Sequence, residues 1–196
     1  MDLITTLGRT AGFSLAAGLN VYATVAILGL AARFGWANLP PQFEAFDSDV
    51  VIAVAALLYL IEFAADKVPY LDSVWDVIHT AIRPIGGALI AAATLGDAPP
   101  AITVLGALLG GTLAAGSHLT KTSARAAANA SPEPFSNVAL SLAEDGLVVA
   151  LGYLALRHPA IALTVVAIAV VLMAVFLATI LRLVRAWFGR RRPAVP

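Results

Sequence analysis

Cysteine is absent from the 196 residues, which excludes disulfides, thiolate nucleophiles and cysteine-ligated metals. Charge is scarce as well. Lys, Arg, Asp and Glu together make up 12% of the chain and cancel to a net charge of zero, against about a quarter charged in a soluble domain. Basic residues neither outnumber acids nor gather on one segment away from apolar runs, so nucleic acid is excluded as a partner. The local signatures H-E-x-x-H, G-x-S-x-G and the P-loop are missing, and with them the commonest arguments for an enzyme. A signal-peptide pattern is missing too: Asp2 precedes Arg9, and the chain then enters a 23-residue uncharged run, so this segment is expected to be retained.

What remains is apolar. Sixty per cent of the residues are hydrophobic, and the runs are long enough for transmembrane helices of about 20 residues each. The spacing predicts an all-α, polytopic transmembrane helix bundle of about six spans, approximately 10–32, 50–65, 69–96, 98–125, 135–156 and 159–181. Residues 1–188 form one transmembrane domain, and 189–196 are a basic cytoplasmic tail. The third span is expected to be irregular, because its uncharged part, Pro84 to Gly96, is only 13 residues long, about 20 Å of helix. The fifth is expected to be broken, because Glu144 and Asp145 fall at its midpoint, where carboxylates are costly. In the fourth, Gly106 and Gly110 stand at G-x-x-x-G spacing, with Gly111 and Gly116 nearby, which predicts close helix packing.

Six crossings put both termini on one side. Ten Lys and Arg residues then fall on that side and only Arg33 and Arg157 on the other, so the positive-inside rule assigns both termini to the cytoplasm.

The polar residues that interrupt these spans are the candidate site. In PYLDSVWDVIHTAIRP, Asp72, Asp76, His79 and Arg83 follow at intervals of four, three and four, which places them on one helix face. Glu62 and Asp66 at the end of span two join them in a stripe that faces an internal cavity or, alternatively, an aqueous interface. Asp and His on one face also leave a metal open. His118, Lys121 and Arg125 recur at helical spacing and are read either as snorkelling to lipid phosphates or as an anion site. Pro69 opens one helix; Pro132 and Pro134 break another, which Ser136 is expected to cap. Glu144 and Asp145 are adjacent, so they point about 100° apart and cannot both face lipid. The alternatives for them are a proton-coupled step and a structural ion pair.

An LAAG string recurs, in Ser14–Asn20 and in Thr112–His118, 98 residues apart. It is a weak echo consistent with an inverted repeat, the arrangement of several transporters.

Together, GLNVYATVAILGL, EFAADKVPYLDSVWDVIHTAIRP, SPEPFSN and LAEDG resemble the bacterial membrane family known as domain of unknown function 4126, over residues 13 to 156. The resemblance implies a small polytopic inner-membrane protein and carries no functional residues. The polar set favours a small transporter that translocates a lipid or anionic solute. Two alternatives stay open: a membrane-embedded enzyme using Asp76 and His79 on a lipid phosphate, and a structural or assembly protein. No cofactor is expected, the bilayer is the certain partner, and a homo-oligomer is compatible with the composition.

Overall fold

The expected first span is two helices. The computed structural model describes residues 2–68, 70–129 and 135–189, with α7 side chains followed to Trp187. Helix α1 (Leu3–Leu19) stops at Asn20, and α2 (Val21–Arg33) begins beyond it. Asn20 is extended, with φ −153° and ψ 101°. Its Oδ1 accepts from the Ala23 N–H at 2.9 Å, and its own N–H closes α1 on the Ala16 carbonyl. Asparagine is among the best N-caps because its short amide reaches the free N–H groups of the first turn. At the other end of α1, Asp2 accepts from the Thr5 N–H at 2.8 Å, which holds its carboxyl below the usual range.

The two helices form a hairpin. Arg9 donates to the Asn38 carbonyl, beyond the end of α2, at 2.6 Å, and to the Leu156 carbonyl, at the end of α6, at 3.4 Å. So α1 enters and α2 leaves at one end of the protein, here called the near end. With about ten residues between Arg9 and the tip, Asn20 lies roughly 15 Å inside the bundle.

A 3₁₀ turn at Pro41–Phe46 follows, and five helices then run end to end: α3 (Asp49–Ala65), α4 (Leu71–Leu95), α5 (Pro100–Asn129), α6 (Phe135–Arg157) and α7 (Pro159–Gly189). Arg33 pairs with Asp47 and Asp49 at the near end, and Arg157 donates there to the Trp36 carbonyl. Arg125 bonds the Asp66 carbonyl at the far end. Four of these helices, α4 to α7, are long and apolar enough to cross a membrane, and α2 is a shorter apolar helix.

This corrects several expectations. The first segment does not traverse the bundle, so α1 begins and α7 ends at opposite ends rather than on one side. The third and fifth segments are continuous helices of 25 and 23 residues. Pro84 sits inside α4, and the charges before it belong to the same helix, so the short uncharged stretch understated its length. The LAAG segments do not form an inverted pair. Ser117 Oγ donates to the Leu15 carbonyl and Lys121 Nζ to the Leu19 carbonyl; equal steps of four on both chains mean that α1 and α5 run parallel.

Packing is inverted relative to a water-soluble protein. Leu109 is 67% exposed and lies on the outside with Leu172 and Val175, while Glu62, Asp72 and Arg83 are at 0%. A lipid solvent explains that arrangement. Inside, Phe13, Leu28, Phe43 and Ile90 form the near-end core, and Leu15, Val148, Leu151 and Val166 a second cluster. Between α1, α4 and α5 the backbones touch. A Cβ on Gly18 would collide with the Ala114 carbonyl oxygen, and one on Gly110 would lie 2.9 Å from the Gly87 carbonyl oxygen. Gly110 thus fulfils the packing expectation. Gly116 does not, since nothing lies within 4 Å of its Cβ position.

These glycines separate in a stability test. Gly18→Val forces backbones apart and is expected to destabilise by about 1–3 kcal/mol or more. Gly116→Ala is expected to be neutral or stabilising by up to about 1 kcal/mol, because alanine is the better helix former. Thermal unfolding in detergent checks both, and equal midpoints for the two variants would contradict the helix seam.

Candidate functional site

Helix α4 presents two different faces. Val74 and Ile78 point outward, whereas Asp72, Asp76, His79 and Arg83 are all buried, as their helical spacing requires. The stripe therefore faces protein, and the interfacial reading of this helix does not hold. Glu62 and Asp66 arrive from the end of α3, His118, Lys121 and Arg125 from α5, and Glu144 from α6.

Three cations organise these groups. Arg83 Nη2 lies 2.9 Å from Glu62 Oε1 and 3.2 Å from Asp76 Oδ1, and its Nη1 reaches the Gly18 carbonyl at 3.4 Å. Lys121 Nζ lies 2.9 Å from Asp66 Oδ2, 3.4 Å from Glu62 Oε1 and 3.4 Å from Glu144 Oε2, and donates to the Leu19 carbonyl at 3.2 Å. Arg125 grips Glu144 through Nε and Nη2 and lies 3.0 Å from Asp66 Oδ2; its Nη1 is 3.7 Å from Asp72 Oδ2. Shared oxygens link all three cations. At the far end, Asn129 Nδ2 donates to Asp72 at 3.0 Å, and Asn137 donates to Asn129.

The hydrogen bonds fix one ring nitrogen of each histidine. A carbonyl only accepts, so His79 Nδ1, 2.7 Å from the Trp75 oxygen, carries a proton. In the neutral ring its Nε2 then accepts from the Tyr22 hydroxyl at 2.9 Å. A guanidinium only donates, so His118 Nδ1, 2.7 Å from Arg83 Nη1, is unprotonated. His118 is therefore neutral, with its proton on Nε2 facing Thr80 Oγ1 at 3.3 Å. Tyr22 also lines an apolar groove of about 510 Å³ between α2, α3 and α4.

With the histidines neutral, five carboxylates face three cations, a surplus of two acids. Glu62 Oε2 and Asp66 Oδ1 are buried without a hydrogen-bond partner. Burying like charges together is costly unless positive charge arrives as protons or another cation. Among the described residues, no three acidic or histidine side chains stand together in a way that could hold a metal ion.

A family model for a domain of unknown function, DUF4126, matches residues 7–179. The chain belongs to the DUF4126 family. No curated protein and no solved structure matches it.

In this DUF4126 protein, ten of the eleven candidate path residues converge. Glu62, Asp66, Asp72, Asp76, Arg83, His118, Lys121, Arg125 and Glu144 share one network, and His79 flanks it through α4 and Tyr22. Asp145 stands apart. It makes none of the ion pairs, its Oδ2 is buried without a partner, and the cations that act on it from a distance are Lys67 first and then Lys121. Lys67 itself donates to Ser141 Oγ at 3.2 Å, and burial pushes its ammonium pKa down. His118, Lys121 and Arg125 do not snorkel; all three are buried, and carboxylates already hold the latter two. Ser136, expected to cap α6, is its second residue. Pro69, Pro132 and Pro134 lie outside the described residues.

Sequence reasoning passed over Asn20, Tyr22, Thr80 and Asn129. Asn20 carried a signal: it is an isolated amide in an uncharged run, two residues after Gly18, and such a pair suits a break.

Removing one partner of a buried pair leaves an uncompensated charge, so Arg83→Met is expected to cost about 3–5 kcal/mol. Arg33→Ala removes two pairs that are largely exposed and is expected to cost no more than about 1 kcal/mol. Unfolding midpoints in detergent measure the difference, and an Arg33→Ala loss as large as that of Arg83→Met would refute the assigned hierarchy.

Proposed function

We propose that this DUF4126 protein is a small transporter of the bacterial inner membrane, in which the buried ion-pair network is the proton-coupling element. The observation that carries the reading is the surplus of two carboxylates in a set of side chains that is buried except for a partly exposed Glu144. Such a set binds protons or cations to reach neutrality, and each proton gained or lost weakens a pair that holds two helices together. The interrupted hairpin at its centre supports the same reading, because helix ends at membrane depth are where transporters place ions and solutes.

The charge balance modifies the expected solute. An anion would have to displace carboxylates from the three cations, whereas a cation meets an acid surplus. The apolar groove beside Tyr22 offers a lateral approach from the bilayer, so a lipid-soluble or lipid solute remains compatible. The enzyme reading gains less support, because Asp76 and His79 make their contacts within the protein.

The orientation also changes. Lys67 lies at the far end, towards which α7 runs and beyond which the sequence continues with Arg182, Arg185 and Arg190 to Arg192. By the positive-inside rule these charges favour a cytoplasmic location for that end, with the start of α1 on the opposite side.

The test uses purified protein in liposomes that enclose a pH-sensitive dye. Under an imposed membrane potential and inward gradients of inorganic or organic cations, the wild type is expected to move protons at least tenfold faster than Glu62→Gln or Asp76→Asn. Thermal unfolding identifies variants that are folded. Wild-type flux equal to that of empty liposomes for every gradient, or folded variants as fast as the wild type, would sink the coupling role.

A further inference from the structure

We propose that the oxygens around Lys121 form a binding site for ammonium or a primary alkylammonium ion, which the lysine's own ammonium occupies in this conformation. The inference rests on the coupling reading above and names the solute class of the same site.

Four separate parts of the chain meet at Lys121 Nζ. The Leu19 carbonyl comes from the hairpin tip at 3.2 Å, Glu62 Oε1 from α3 at 3.4 Å, Asp66 Oδ2 from the turn after α3 at 2.9 Å, and Glu144 Oε2 from α6 at 3.4 Å. A lysine that only tied two helices together would need one of these. The convergence of a helix C-terminal carbonyl with three carboxylates is the composition of an intramembrane cation site. The negative end of the α1 dipole adds to the attraction.

Size and donor count select the cation. Distances of 2.9–3.4 Å suit N–H···O hydrogen bonds, whereas magnesium and calcium need oxygens at about 2.0–2.6 Å. Among the described residues, no three acidic or histidine groups stand together in a way that could hold such an ion. A lysine ammonium has three N–H donors, fewer than the four oxygens around it. Independently of those contacts, Glu62 Oε2 and Asp66 Oδ1 are buried and accept nothing. The cage has acceptor capacity that a tethered ammonium leaves unused; a free ammonium ion brings one more N–H, and a primary alkylammonium ion brings three that no backbone tether constrains.

The shared oxygens set the stoichiometry. Arg83 and Arg125 already share Glu62 Oε1, Asp66 Oδ2 and Glu144 Oε2 with Lys121, so a second cation cannot enter on top of the first. The ammonium ion takes over the four oxygens as Lys121 gives up its place there together with one proton, which leaves to water. One cation enters and one proton leaves, with no bond to carbon or oxygen changed.

The experiment is calorimetric titration of purified wild type with ammonium chloride, run in buffers of different ionisation enthalpy at constant ionic strength set with choline chloride. Thermal unfolding of wild type and Lys121→Ala is followed in parallel. Wild type is expected to release one proton per ammonium bound. Lys121→Ala is expected to bind ammonium at least tenfold more tightly, to release none, and to gain in unfolding temperature. Methylammonium should act like ammonium, while tetramethylammonium, without N–H donors, should do nothing. Adding Glu62→Gln to Lys121→Ala should weaken ammonium binding at least tenfold. If Lys121→Ala fails to fold, the wild-type proton count decides. Ammonium effects no larger than those of choline, or wild-type binding without proton release, would overturn the site. Proton flux lost in Glu62→Gln would then still stand for the coupling role.

Discussion

Helix α1 ends inside the protein, and Arg83 and Lys121 hold that end. The last carbonyls of a helix have no partners within it, and at membrane depth water is not available to supply them. The Gly18 and Leu19 carbonyls therefore require donors from the protein, and the two cations provide them. Each cation then needs counter-charge, because an isolated buried ammonium or guanidinium is far costlier than a free carbonyl. Glu62, Asp66, Asp76 and Glu144 follow from that need, and Arg125 from the acids in turn. One interrupted helix thus accounts for most of the buried charge. The same break permits the hairpin, which fills the near half of the bundle and leaves the far half to the network.

Much of the site was legible because charge in an apolar chain is rare. Asp72, Asp76, His79 and Arg83 share a face by spacing alone, and no lipid-facing stripe could hold them. The pairing of α4 with α5 was not legible, since nothing in the spacing says that Arg83 meets His118 or that Lys121 reaches three carboxylates. Those contacts depend on the small-residue seam, which brings Gly87 and Gly110 within backbone distance. The membrane class and the helix positions from 50 onward were likewise readable from apolar runs. The first segment misled because hydropathy measures length without direction: 23 uncharged residues suit one crossing or two half-crossings equally. Asn20, whose amide caps the second half, separates the two cases. The orientation count is weaker than it looks for a related reason: it includes Arg83, Lys121 and Arg125 as edge charges, yet all three are buried in the network.

The two sides of the network differ in stiffness, and this bears on how it could work. Between α1, α4 and α5, backbones touch at Gly18, Gly87 and Gly110, so these three helices cannot slide without a clash. Between α2, α3 and α4 lies the apolar groove, where side chains leave room. Glu62 and Asp66 ride on the loosely packed α3, whereas Arg83, Lys121 and Arg125 ride on the rigid pair α4 and α5. Any displacement of α3 therefore moves acids away from bases, and because oxygens are shared, it loosens several pairs together. Packed elements of this kind favour discrete arrangements over gradual deformation. On the proposed coupling role, a weakening of the Glu62 and Asp66 pairs would act on α3, beside the apolar groove, rather than on the α1–α4–α5 seam, whose backbone contacts leave no room to move.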